Sequence, residues 1–198
     1  PYSFQQEAAR HEKRLPTAAR LVVERQLNEY FGAADAKIGL ITHGTTFNTT
    51  MRLLSIMGLA DEFGELDPRL QLLQLNVIFP LNEGQIIDFA AGKTHLLLIE
   101  EGQPDLMESE IRALLHKHKS PVDFHAHDLV PKYGELIPEK LGPALAKFLM
   151  LALPELGDRP DVAVQGLLNR KKQAVSLFPT PVPPRFPTFC TGCPERPV

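Results

Sequence analysis

Between residues 37 and 126, short β-rich apolar runs alternate with helix-length amphipathic stretches, and this alternation constrains the fold more than any other feature. "KIGLITHG" (37–44), "LQLLQLNVIFPL" (70–81), "THLLLIEEG" (94–102) and "PVDFHA" (121–126) read as strands. The segments between them read as helices. "TTFNTTMRLLSIMGL" (45–59) puts Phe47, Met51 and Leu54 on one stripe. "NEGQIIDFAAG" (82–92) has Asn82 as N-cap, Glu83 in the first turn and Gly92 as a stop. "DLMESEIRALLHKH" (105–118) carries acids early and bases late, which complements the backbone dipole. Strands separated by helices predict a parallel sheet covered on both faces, joined by right-handed crossovers. The run 94–102 is close to continuously apolar, as a strand buried on both faces must be. The expected fold class is therefore α/β: three α/β/α layers around a mostly parallel sheet, with helical and proline-rich arms.

The flanks differ from this middle. "RLPTAARLVVERQLNEYFG" predicts one amphipathic helix that starts near Pro16 and ends near Gly32. "ELIPEKLGPALAKFLMLAL" predicts one or two helices with Pro143 near a first turn. From Ser176 the chain reads "SLFPTPVPPRFPTF", whose prolines forbid a helix and remove strand donors. Such a connector is extended, at roughly 3 Å per residue. The expected organisation is an N-terminal helical linker (1–35), an α/β domain (36–128), a helical extension (129–175) and a proline-rich linker into a further domain (176–198). The chain begins at Pro1 without Met and reads as an excerpt of a longer polypeptide.

Charge and composition exclude several classes. A net charge of −3 with mixed signs gives no clustered basic face for nucleic acid. "NRKKQ" (169–173), the one dense basic run, reads as a solvated helix end or linker start. Tryptophan is absent and tyrosine occurs three times, too few for a stacking platform. No apolar run approaches the ~20 residues of a membrane helix. Two cysteines do not make a disulfide framework, so a reducing cytoplasm is expected.

Candidate chemistry begins where the strands end, since ligands of such sheets bind beyond the carboxyl ends. "THGTTFN" (42–48) leaves the first strand, with Thr45, Thr46 and Asn48 as helix caps and His43 as a turn residue or a ligand contact. Glu100 and Glu101 end the third strand. Neighbours in a strand point to opposite faces, so they are not an acid/base pair; structural use is expected, with one facing the crevice or an ion pair to a neighbouring domain. His116 and His118 diverge on a helix. His125 and His127 share a face if they lie in a strand, but a zinc site there needs further ligands. Neither G-x-S-x-G nor H-E-x-x-H occurs.

The remaining feature is "CTGC". Cys190 and Cys193 can reach one tetrahedral centre, with Gly192 easing the turn between them. They read as half the ligands of a zinc ion or a four-iron cluster, as a redox couple, or as reduced bystanders.

Taken in order, "ITHGTTFNTTMRLL", "NVIFPLNEGQIIDFAAGKTHLLLIEEG" and "CTGCPERPV" resemble the large subunit of the indolepyruvate:ferredoxin oxidoreductase family, which uses thiamine diphosphate. The resemblance runs from "LNEYFG" to the end. It implies that residues 36–128 are the middle domain, similar to the transketolase C-terminal domain, held between one thiamine-binding domain that precedes this chain and another that starts at the cysteine motif. It implies that Cys190 and Cys193 give two thiolates to a [4Fe–4S] cluster, although Thr191 stands where the family has Pro and Glu195 where it has His. The implied reaction is oxidative decarboxylation of an aryl-2-oxoacid such as indolepyruvate to an acyl-coenzyme A. The implied cofactors are thiamine diphosphate, Mg2+ and [4Fe–4S] clusters. The implied partners are ferredoxin, coenzyme A, the neighbouring thiamine-binding domains and a second subunit or protomer. On that resemblance this segment is a scaffold. The rival expectation is a non-catalytic α/β interaction module with a zinc-bound cysteine pair.

Overall fold

A computed structural model describes residues 2–102, 104–178 and 180. Its centre is a five-stranded sheet in the order β1-β3-β2-β4-β5. β2 (Ile38–His43), β3 (Leu70–Leu75), β4 (His95–Ile99) and β5 (Asp123–His125) run parallel. β1 (Glu29–Gly32) closes one edge antiparallel to β3.

The winding follows from the crossovers. α3 (Thr46–Ile56) takes the chain from β2 outward to β3; α4 (Glu83–Ala90) then returns it past β2 to β4, and α5 (Leu106–Lys117) carries it on to β5. Right-handed connections that reverse direction must change face. Accordingly α3 packs on one side, while α4 and α5 pack on the other. The strands divide their residues by the two-residue period. Ile38, Leu40, Leu70, Leu72, Leu97 and Ile99 face the α3 side. Ile41, Leu73, Leu75, Leu96 and Leu98 face α4 and α5. The three-layer α/β/α sheet expected from the sequence is present.

The α3 side is completed by α6 (Pro138–Ala152) and α7 (Arg159–Ser176). Leu141, Leu145, Phe148, Leu149 and Val164 belong to the same buried cluster as Leu40, Leu72 and Leu97. The segment beyond residue 128 is thus a layer of the body. Pro138, not Pro143, occupies the first turn of α6; Pro143 lies inside the helix. Within the basic run, Lys171 Nζ binds Glu139 at 2.7 Å across α6 and α7.

The single helix expected from near Pro16 to near Gly32 ends early, at Glu24, and a further helix precedes it. α1 (Tyr2–Ala9) and α2 (Leu15–Glu24) are joined by a π-helical turn at Arg10–Arg14. Pro16 follows that turn; its missing N–H interrupts the regular ladder, and a π turn absorbs such an interruption. α2 then stops at Glu24, because Gln26 takes a φ of 50° that no helix continues. Tyr30 is consequently a strand residue. Of α1 and the π turn no residue is buried; α2 buries Val22. Among the described residues no helix is long and apolar enough to cross a membrane.

Candidate functional site

In a sheet wound this way, the order reverses between β2 and β4, and the crevice lies beyond their carboxyl ends. His43 is the last residue of β2, and Glu100 and Glu101 directly follow β4. The sequence placed these three at strand ends, and the fold brings them side by side. His43 Nε2 accepts the Glu101 N–H at 3.2 Å. The bond requires a lone pair on Nε2, so the imidazole is neutral with its proton on Nδ1. Burial pushes the His43 pKa down, outweighing the Glu100 and Glu101 charges that raise it.

The carboxylates serve the backbone. Glu100, 5% exposed, accepts the N–H groups of Met107 at 3.0 Å and Glu108 at 2.9 Å. These are first-turn donors of α5, which have no partner within the helix. The acid thereby takes up the helix end that an anionic ligand would use. Asp105, the residue at the N-cap, makes no side-chain cap. Glu101 Oε2 accepts the Leu136 N–H at 2.6 Å and so fixes the approach to α6. Both acids bind backbone donors.

The turn after β2 is tied in the same manner. The Thr46 hydroxyl donates to the His43 carbonyl at 2.6 Å and accepts the His43 N–H at 3.1 Å. It also lies 3.4 Å from the Ile99 carbonyl, joining the ends of β2 and β4. Thr45 sits at the N-cap but makes no side-chain cap hydrogen bond, so the capping expected there is replaced by this strand-end clasp. Gly44 permits the turn with a φ of 51°.

The other histidines are dispersed. His118 meets Glu83, which also binds Lys117 at 2.7 Å. β5 ends at His125, so His127 lies past the strand and the shared face expected for the pair does not form. His125 Nδ1 is 2.6 Å from Asp128 and its Nε2 3.2 Å from Asp123. Burial would raise the Asp128 pKa, but hydrogen bonds from His125 and the Ala126 N–H hold it below the usual carboxylate range. His127, 7% exposed, pairs Nδ1 with the Val130 carbonyl at 3.3 Å. No group of three or more His, Cys, Asp or Glu is placed to hold a metal among the described residues. Cys190 and Cys193 lie outside those residues.

Two buried polar pairs escaped the sequence reading. Thr42 and Gln74, in register on β2 and β3, are hydrogen-bonded at 2.6 Å. Lys93, 5% exposed, donates to Gln71 Oε1 at 2.7 Å and the Ala36 carbonyl at 3.3 Å, with the Phe89 ring centroid 4.6 Å away. A Cβ at Gly39 would stand 2.7 Å from the Lys93 stem, so that glycine admits the buried lysine. Gln71 and Gln74, polar positions within an otherwise apolar "LQLLQL", were the available signal.

A hydrogen-bond network lines the crevice. Its anion-binding helix end, its two acids and its imidazole acceptor are engaged by the chain itself. The described residues form neither a diphosphate cradle nor a cluster site.

Comparison with known proteins follows the same span. Residues 28–150 match the indolepyruvate oxidoreductase domain. The indolepyruvate oxidoreductase subunit IorA of Thermococcus kodakarensis is 28% identical over 165 residues, covering 83% of this chain and 22% of that protein. Its counterpart in Pyrococcus horikoshii is 27% identical with the same coverage. That of Methanothermobacter thermautotrophicus is 26% identical over 180 residues, covering 88% of this chain and 24% of its own length. The chain spans less than a quarter of the curated relatives it matches.

Proposed function

The chain belongs to the indolepyruvate oxidoreductase domain family, and from that premise we propose that it is the structural middle segment of a 2-oxoacid oxidoreductase subunit. The observation that supports the reading is the engagement of Glu100 and Glu101 by backbone N–H groups, which gives both crevice acids a structural task. The layered body then acts through shape. It holds in register two thiamine-binding domains contributed from elsewhere in the polypeptide.

In this proposal the whole subunit decarboxylates an aryl-2-oxoacid, transfers the acyl group to coenzyme A and passes electrons to ferredoxin. Thiamine diphosphate, Mg2+ and [4Fe–4S] clusters supply that chemistry. The described residues do not fit those groups, so no catalytic step is assigned to them. Cys190 and Cys193, where the proline-rich segment ends, are proposed as two ligands of a cluster. A companion subunit is proposed because the relatives carry the name of a subunit. A cytoplasmic setting is proposed from the sparse cysteines.

Two experiments on the full-length protein test this reading. Cys190→Ser should lower iron content and absorbance near 400 nm while leaving the fold intact; unchanged iron removes the ligand assignment. A colourless parent protein with stoichiometric zinc would identify an interaction module instead. Separately, Glu101→Gln should leave turnover within about tenfold of the parent, since no catalytic proton transfer is lost. A thousandfold loss with an unchanged melting temperature would make the crevice an active site and overturn the scaffold role.

A further inference from the structure

A cavity of about 800 Å3 lies away from the crevice, between the end of α2, the edge strand β1 and α4. β3 is the sheet partner of β1 among the described residues, so one row of β1 backbone groups faces outward. Three of the four β1 residues are exposed. Tyr30 and Phe31 point to opposite faces; Tyr30 leans on Phe89 and Phe31 on Phe47, with ring centroids 6.1 and 4.8 Å apart. Both line the cavity, which therefore reaches the main chain of the strand.

The walls are fixed by bonds that need no occupant. Asn82 Nδ2 donates to the Ala19 carbonyl at 3.0 Å and holds α2 to the start of α4. Asn28 Nδ2 donates to Gln85 Oε1 at 2.7 Å and holds the start of β1 to the same helix. The charge along the groove is acidic. Arg20 lies 3.8 Å from Glu24, and among the described residues neither Glu29 nor Asp88 is paired with a cation. Glu29 accepts from Asn76 at 2.9 Å, and the Asp88 carboxylate has no hydrogen-bond or ion-pair partner among the described residues.

We propose that this groove receives an extended segment of another protein chain, which pairs with the free edge of β1 and sets Lys or Arg side chains against Glu29 and Asp88. A strand-edge floor complements a peptide backbone, and the two acids select basic side chains at alternate positions. The inference stands apart from the proposed function: it uses the edge and the charge, and neither the crevice nor the cysteines.

The test uses the full-length protein and a labelled peptide, Lys-Val-Lys-Val-Lys-Val, followed by fluorescence anisotropy and hydrogen exchange. Saturable binding is expected, weakened several-fold at high salt, with slowed amide exchange across 29–32. The Glu-Val counterpart should not bind. Asp88→Lys should weaken the basic peptide at least tenfold with an unchanged circular dichroism spectrum. Should that variant fail to fold, Asp88→Asn is to weaken it several-fold. Equal binding of both peptides, undiminished binding by a folded Asp88 variant, unprotected β1 amides, or no anisotropy change at any peptide concentration would each overturn the proposal.

Discussion

Glu100 accepts the N–H groups of both Met107 and Glu108, so a residue just past β4 caps a helix that starts six residues further along. The contact anchors α5 to the strand that precedes it. Glu100→Ala would leave one buried and one part-buried donor unpaired, a loss of about 1–3 kcal/mol. Glu100→Gln keeps one acceptor and should lose less. Urea denaturation measures both; an alanine variant within about 0.5 kcal/mol of the parent would show that the cap is dispensable.

His43 makes stability depend on pH. Its pKa is depressed on folding, so the unfolded chain binds the extra proton. The contribution is complete above the ordinary histidine value of about 6.5 and is lost as pH falls through the lower folded value. Asp128 and Glu139, held below the usual carboxylate range, lose their contributions only in more acidic solution. Stability measured from pH 7.5 down to about 5 should therefore fall less in His43→Gln than in the parent. Parallel profiles would refute the assignment.

Lys93 gives the opposite end of the scale. Burial, aided by the charge of Lys37, pushes its pKa down. Stability should rise with pH toward the ordinary lysine value of about 10.4, and that slope should vanish in Lys93→Met. The single substitution strands the buried Gln71 amide, whereas Lys93→Met with Gln71→Leu removes both polar groups. A double-mutant cycle should show the pair coupled by about 1 kcal/mol or more; additive effects would refute the contact.

Leu97→Asp places a carboxylate where Leu97 is wholly buried between β4 and the α6 layer. The cost exceeds about 4 kcal/mol, comparable to the whole stability of a marginally stable domain. Near-ultraviolet circular dichroism should lose its native signal; a soluble variant with native melting would contradict the placement.

The elements β2 to β5 and α3 to α5 were legible because local chemistry and global packing agree. Asn82 caps α4 as its position before "EGQIID" requires, accepting the Gln85 N–H at 2.9 Å. β1 was not legible. Four residues pair with β3 from about 40 positions away, and nothing local distinguishes "EYFG" from the end of a helix except the turn at Gln26. His43, Glu100 and Glu101 could be assigned to one crevice from their places at strand ends. Their partners could not, since the donors belong to the starts of α5 and α6 and meet them only through the fold. His125 and His127 failed as a pair because β5 stops after three residues, and the two-residue period stops with it.

Val164 and Phe148 seal the same apolar layer that Leu40 and Leu72 begin. During translation, then, that side of the sheet has only α3 to cover it until α6 and α7 leave the ribosome, and the nascent chain achieves closure late.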